Sequence, residues 1–215
     1  MEYEIISTGS KGNCLIIDKK IMIDIGVPYS KIQDKVDNVK VVCLTHQHKD
    51  HMNLTTIRKI KREHPNIKII CGSFLVAKLV AEARLKPKDI FTLELGKWFS
   101  MGLIQAKLEP LYHDVPNVCY HIVYDNKKIF YATDTGKIEH IEAKEYDYYF
   151  LEANYDTDED LRGKVLEARE KGEFSYLSRV EHTHLSQLQA INWLDKNKGE
   201  NSSYIFMHKH IDKEK

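Results

Sequence analysis

Three histidines and a carboxylate fall within His46-Gln47-His48-Lys49-Asp50-His51, with Thr45 in front. Imidazole nitrogens and carboxylate oxygens are the donors that suit zinc, and this stretch holds more of them than one open zinc site uses. Two metal ions are therefore the expected count. Two ions about 3.5 to 4 Å apart lower the pKa of a bridging water to near neutral and clamp a scissile phosphate or carbonyl oxygen, which is hydrolytic chemistry. Asp50 would then orient or deprotonate the hydroxide while also ligating metal. The plain alternative is a polar, histidine-rich surface loop, and it weakens with every further ligand found downstream.

Further candidates do follow, and each sits at the end of a strand-like run. The motif itself comes after Val39-Lys40-Val41-Val42-Cys43-Leu44, a short apolar segment rich in β-branched residues. His113 lies in the polar break Pro110-Leu111-Tyr112-His113-Asp114-Val115-Pro116, and Ile129 to Thr133 delivers Asp134, a carboxylate able to bridge two metals. The last apolar run, Tyr204-Ile205-Phe206-Met207, delivers His208. His46, His48, Asp50, His51, His113, Asp134 and His208 thus share one kind of position, and that recurrence carries more than any single histidine. Ile21-Met22-Ile23 likewise leaves Asp24 at a strand end, where it either orients a ligand histidine from behind or forms an Asx-turn before Gly26.

Hydrolysis of an ester also needs a proton or positive charge at the leaving oxygen. His184 precedes Ser186 and Gln189, which have the spacing of a capping box, so it should lie just before a helix whose free N–H groups favour a phosphate oxygen. Phe150-Leu151-Glu152 ends another strand and offers Glu152 to hold the imidazole and raise its pKa.

Positioning these residues takes an alternation of strands and helices. Strands are expected at Tyr3 to Ile6, Cys14 to Ile17, Ile21 to Ile23 and Ile67 to Cys71. Helices are expected from Leu54 to Glu63 and from an N-cap at Ser73 through Ala83, and Pro87 ends the second. A β-rich middle follows, with runs at Ile90 to Leu93, Leu103 to Leu108, Cys119 to Tyr124 and Lys128 to Ala132 and a turn at Asp125-Asn126. Two more helices are expected about Thr157 to Lys171 and Ser186 to Lys196. The class is α/β, and no linker or charge block divides 1–215, so one domain is expected.

Lys plus Arg and Asp plus Glu are both 32, so bulk charge gives no reason to expect nucleic-acid or membrane binding, although a local basic patch is invisible in that sum. Cys14, Cys43, Cys71 and Cys119 are scattered among apolar runs without Cys-x-x-Cys spacing, which fits a reducing cytoplasm. There is no basic leader and no apolar run of membrane-spanning length, so a soluble, unexported protein is expected.

Together, Ser7-Thr8-Gly9-Ser10-Lys11-Gly12-Asn13-Cys14, the His46 to His51 motif, His113-Asp114-Val115-Pro116, Asp134-Thr135-Gly136, Leu151-Glu152-Ala153-Asn154 and His184-Leu185-Ser186 resemble the YycJ/WalJ-type branch of the metallo-β-lactamase superfamily. That branch is related to tRNase Z and to PhnP-type phosphodiesterases. The resemblance covers almost the whole chain and implies an αββα sandwich in a single domain, two divalent ions (zinc first, manganese as the alternative), and hydrolysis of phosphodiesters. It implies His46, His48 and His113 on one metal, Asp50, His51 and His208 on the other, Asp134 between them, and His184 with Glu152 acting on the scissile phosphate. Tyr155 stands where the branch usually has histidine. The C-terminus reads His208-Lys209-His210 in place of His-Leu-Ser, which leaves His208 and His210 as rivals, and His208 is preferred because it directly follows the apolar strand.

The function expected is that of a binuclear metal-dependent phosphodiesterase, a nuclease acting on DNA or RNA through a metal-bridging hydroxide, with His184 assisting. One alternative is a small-substrate phosphodiesterase acting on cyclic nucleotides in a closed pocket completed by a homodimer partner. The Gly9 to Asn13 loop has two readings, a plain turn and a phosphate cradle. A non-catalytic metal-binding module is the reading from a different class.

Overall fold

The computed structural model describes residues 1–171 and 177–208; His210 lies outside them. The chain forms two compact units, Met1–Lys97 and Trp98–Lys215, each built on one mixed six-stranded sheet.

In the first unit the strands β1 (Tyr3–Ser7), β2 (Cys14–Ile17), β3 (Ile21–Ile23), β4 (Val41–Leu44), β5 (Lys68–Cys71) and β6 (Ile90–Thr92) lie side by side in sequence order. β1 to β3 are antiparallel, whereas β3 to β6 run parallel. β2, β3 and β4 are buried throughout, which is why they read as unbroken apolar runs instead of alternating ones. Helix α1 (Leu54–Glu63) is capped by Asn53, whose side chain accepts the Thr56 N–H, and it turns Ile57 and Ile60 into the core. The helix expected from an N-cap at Ser73 is corrected. Ser73–Leu75 winds as a 3-10 turn with Gly72 at its N-cap, Ser73 makes no capping bond, and α2 spans only Val76–Ala81. A Cβ at Gly72 would stand 2.3 Å from the Phe74 ring, so this glycine lets Phe74 fold back and starts the turn one residue early.

In the second unit β7 (Phe99–Ser100), β8 (Gln105–Leu111), β9 (Asn117–Tyr124), β10 (Lys127–Ala132), β11 (Tyr148–Glu152) and β12 (Ser203–Met207) also follow sequence order across the sheet. β7 to β10 are antiparallel and β10 to β12 parallel. The expected Asp125-Asn126 turn closes the β9–β10 hairpin with both residues left-handed, at φ 47 and 56. β8 runs to Leu111 and includes Pro110, contrary to the boundary expected at Leu108. Because β7 covers β8 only at residues 105 and 106, Pro110 lies where β8 is an edge, and a missing N–H is tolerated there. Helices α3 (Asp158–Glu170) and α5 (Gln187–Asn197) fall where expected, and α4 (Leu177–Thr183) was not anticipated. Phe130 of β10 stacks on Trp193 of α5 at 5.0 Å within this unit's core.

Each sheet brings its functional candidates to one edge. Asp24 and Thr45 follow the parallel strands β3 and β4, and Asn13 precedes β2, which runs the opposite way and so starts at that same edge. In the second unit Asp134, Glu152 and His208 stand at the C-terminal ends of the parallel strands β10, β11 and β12. Carboxyl ends of parallel strands are where open α/β sheets place their ligands. Among the described residues no helix is long and apolar enough to cross a membrane.

Candidate metal centre

The first unit holds the motif in a loop between β4 and α1. The His51 N–H at Nδ1 meets Asp24 Oδ2 at 2.7 Å, so Asp24 sits behind this imidazole. Asp24 also accepts from the Thr45 backbone N–H at 2.9 Å and from its hydroxyl, and that hydroxyl lies 3.0 Å from His46 Nδ1. Both imidazoles are thereby turned with Nε2 outward. His46 Nε2 stands 3.2 Å from His48 Nδ1, and Asp50 Oδ2 stands 3.7 Å from His51 Nε2. Asp24, His46 and His51 are buried and Asp50 is partly open.

The backbone reaches this arrangement by close approach. A Cβ on Gly26 would lie 1.6 Å from the Asp50 carbonyl oxygen, so only glycine lets the segment after β3 pass beneath the motif loop. The Gly9 to Asn13 turn is tied to the same loop, with the Asn13 N–H donated to the Asp50 carbonyl at 2.6 Å. Gly12 donates to the Gly9 carbonyl and Gly9 to Asn13 Oδ1. The amides of Gly9, Gly12 and Asn13 thus serve the turn and its tie to the motif loop. Asn13 Nδ2 lies 2.8 Å from His51 Nε2, a contact the sequence reading did not assign.

The second unit collects His113, Asp134, Glu152, His184 and His208. Donor atoms of Asp134, Glu152, His184 and His208 all lie within 4.8 Å of one another. The two oxygens of Asp134 face different histidines. Oδ2 is 3.7 Å from His113 Nε2, whereas Oδ1 is in ion-pair contact with His208 Nδ1. His113 Nδ1 donates to the Thr183 carbonyl at 3.1 Å, which fixes the ring and leaves Nε2 facing Asp134. Asn117 donates to the carbonyls of Thr133 and Asp134, both at 2.8 Å, and holds the turn that carries the carboxylate. Thr183 and Asn117 were missed because their contribution lies in the atoms they hold, which no motif marks.

His184 Nδ1 meets Glu152 Oε1 at 2.5 Å, and the other Glu152 oxygen accepts the Thr135 N–H at 2.9 Å. The capping box of α5 is present, but the helix is closed to a phosphate: Gln187 and Leu188 donate to the Tyr155 and Asp156 carbonyls and Gln189 to Ser186 Oγ. The expected help from free N–H groups is therefore corrected, and Glu152 is what positions His184. Tyr155 spends its hydroxyl on Asp158 at 2.9 Å. A Cβ on Gly136 would lie 2.1 Å from the His182 carbonyl, so this glycine lets the Asp134 turn approach the end of α4.

Charge and strain both concentrate here. Burial alone would push the His208 pKa down, yet the Asp134 and Glu152 carboxylates outweigh it and lift it to about 10. His184 behaves likewise: burial lowers it, and Glu152 raises it further than that. Burial would raise Glu152, and His184 brings it below the ordinary value. Asp24, Asp134 and His208 are all left-handed, at φ 58, 58 and 53, each immediately after a parallel strand. Such backbone costs on the order of 1 to 3 kcal/mol per residue and persists only where the surroundings impose it.

The donor set fits divalent metal. The 3.2 Å between His46 Nε2 and His48 Nδ1 is close to the ~3.3 Å edge of a tetrahedron around zinc with Zn–N near 2.0 to 2.1 Å. The buried carboxylates of the second unit call for positive charge, which protons on His184 and His208 supply and a metal ion would supply in exchange for a proton.

A family model described as Beta-lactamase superfamily domain matches residues 24–209. The exodeoxyribonuclease WalJ of Streptococcus pneumoniae is 27% identical over 173 residues, which is 73% of this chain and 64% of that protein. This chain thus spans a little under two thirds of the length of the curated relatives it matches. Among solved structures, the metallo-beta-lactamase fold protein YhfI from Bacillus subtilis aligns with a TM-score of 0.74 at 14% identity, covering 98% of this chain and 86% of that one. Human tRNase Z, short form, aligns with a TM-score of 0.69 at 14% identity, covering 98% and 93%. At these identities the likeness shows the fold, and it is the metallo-β-lactamase fold expected from the sequence.

Proposed function

The chain belongs to the beta-lactamase superfamily, and we propose that it is a metal-dependent phosphodiesterase, a nuclease that holds two divalent ions, zinc first and manganese as the alternative. The ligands are His46, His48 and His113 for one ion and Asp50, His51 and His208 for the other, with Asp134 shared. The split of the Asp134 oxygens between His113 and His208 supports the shared role. The reading treats 1–215 as one domain.

The observation that carries the reaction class is the Glu152–His184 pair at 2.5 Å beside the Asp134 cluster. The leaving group of a phosphodiester departs as an alkoxide and needs a proton, and an imidazole whose pKa is raised by a buried carboxylate is a proton donor near neutral pH. Bound ions would supply an ionised water at neutral pH and a positive clamp on the phosphate. Asp50, partly open and next to His51, would hold an ion and orient such a water. His184 donates its Nε2 proton to the leaving oxygen while Glu152 keeps the Nδ1 proton and the ring's orientation. Asp24 behind His51 and the Thr183 carbonyl behind His113 fix the ligand rings. WalJ, named an exodeoxyribonuclease, supports a nucleic-acid substrate, and four buried thiols support a reducing cytoplasm.

The test is turnover by metal-loaded protein of bis(p-nitrophenyl) phosphate, linear DNA, RNA and cyclic nucleotides. Metal-dependent cleavage of DNA or RNA is expected. Turnover of cyclic nucleotides alone, with a dimer in solution, would replace the nuclease by a small-substrate enzyme. No turnover of any phosphodiester would leave a metal-binding module.

A further inference from the structure

Away from the motif loop, the first unit carries a concavity of about 460 Å³ lined by seven Lys and Arg side chains and a single carboxylate, Asp89. The chain as a whole has 32 bases and 32 acids, so everything outside this basin is net acidic. The charges come from three places in the fold: Arg58 and Arg62 on α1, Lys68 at the start of β5, and Arg84, Lys86 and Lys88 on the connection between α2 and β6.

The seventh cation, Lys61, is structural. It is partly buried, donates to the Pro65 and Ile67 carbonyls at 2.6 Å, and pairs with Asp89 at 3.5 Å, so the one carboxylate is already balanced. Arg62 is engaged by Glu63 at 2.9 Å and Arg58 by the Glu82 carbonyl. Arg84, Lys86 and Lys88 are exposed, and among the described residues they enter no ion pair. Arg84 is held left-handed at φ 60 between the buried Ala83 and Leu85, which turns a charged side chain outward at a point where the backbone is strained.

We propose that this basin binds the sugar–phosphate backbone of a nucleic acid as a secondary site for the substrate, an inference that rests on the phosphodiesterase reading. Like charges gathered on a neutral chain cost self-repulsion, which a polyanion offsets through release of its counterions. Three separated sources of charge suit consecutive phosphates of a strand, whereas one bound phosphate wants convergent donors. Arg58 and Arg62 lie one and two turns into α1 from the motif loop, about 8 to 14 Å along the helix at 1.5 Å per residue. Lys68 starts β5 and Arg84, Lys86 and Lys88 precede β6, so the basin lies toward the edge of the sheet opposite the motif loop and would hold a remote part of a long strand.

The test uses Arg84→Asn, Lys86→Glu and Lys88→Glu together, asparagine being chosen because it tolerates the left-handed backbone. Binding of a fluorescent 20-nucleotide single-stranded DNA to metal-free protein is followed by anisotropy across salt, and hydrolysis of bis(p-nitrophenyl) phosphate by metal-loaded protein is followed in parallel. The triple variant should bind DNA at least tenfold more weakly, with the slope of log K against log salt shallower by about 2, near 0.7 per lost phosphate contact. It should hydrolyse the small ester at the wild-type rate. Unchanged affinity and slope would overturn the proposal, as would DNA binding too weak to measure in the wild type. Inorganic phosphate competing at millimolar concentration equally against DNA of every length would overturn it in favour of a small-anion site. Loss of small-ester hydrolysis in the wild type would instead remove the phosphodiesterase reading, so the two failures are distinct.

Discussion

His184 and Glu152 form the pair on which the reaction class turns, and the distinction between acid and ligand can be read from kinetics. His184→Ala should retain both metals and lose roughly 10²- to 10⁴-fold in rate on a substrate with an alkoxide leaving group. On bis(p-nitrophenyl) phosphate the loss should be far smaller, because p-nitrophenolate leaves without a proton. Equal losses accompanied by a missing metal would make His184 a ligand. His121 allows a separate check. Its side chain is buried in the second unit against Tyr146, and burial, helped by Lys107, pushes its pKa down to about 4 despite Glu109. Between about pH 6.5 and 4 the unfolded chain binds a proton there and the native chain does not, so stability falls as pH falls, by at most about 3 kcal/mol. Urea unfolding of metal-free His121→Gln at pH 7 and pH 5 should show a smaller pH loss than wild type, and equal losses would contradict the assignment. The ligand types were legible because His and Asp in a tight pattern advertise themselves. Asn13, Asn117 and Thr183 were not, since they act through an amide or a carbonyl on residues far along the chain.

At the scale of elements, the placement of Asp24, Thr45, Asp134, Glu152 and His208 at or just after strand ends was legible from apolar runs that stop at a polar residue, whereas His184 follows the unanticipated α4. The finer edges were not. Pro110 sits inside β8 only because β7 leaves it uncovered, and that pairing is non-local. The α5 capping box was correctly read from Ser186 and Gln189, yet carbonyls at Tyr155 and Asp156 had already taken the helix's first amides. Glycine at 26 makes the strongest prediction at this scale. Gly26→Ala puts a methyl 1.6 Å from the Asp50 carbonyl and 2.7 Å from the Asn13 nitrogen, so the motif loop must move. A loss of at least the ~1 to 3 kcal/mol usual for overpacking is expected, together with weaker metal binding. Gly163→Ala, in α3 with open space at its Cβ, should be neutral or stabilising by up to ~1 kcal/mol. Thermal melts and metal analysis of both variants check this, and a Gly26→Ala protein with wild-type stability and metal content would contradict the close-approach account.

For the whole molecule, the α/β class and the superfamily fold followed from the alternation of elements and the motif set, whereas the basic basin could not be seen in a sum of 32 against 32. Charges drawn from α1, β5 and the stretch before β6 become neighbours only on folding. The ligand set proposed for two ions is likewise drawn from positions spread between 46 and 208. The most direct measurement of that claim is a titration of metal-free protein with zinc or manganese while hydrolysis of bis(p-nitrophenyl) phosphate is followed. The rate should keep rising until two equivalents per chain have been added and then level off. A plateau at one equivalent, or hydrolysis that proceeds undiminished without added metal, would contradict the two-metal phosphodiesterase.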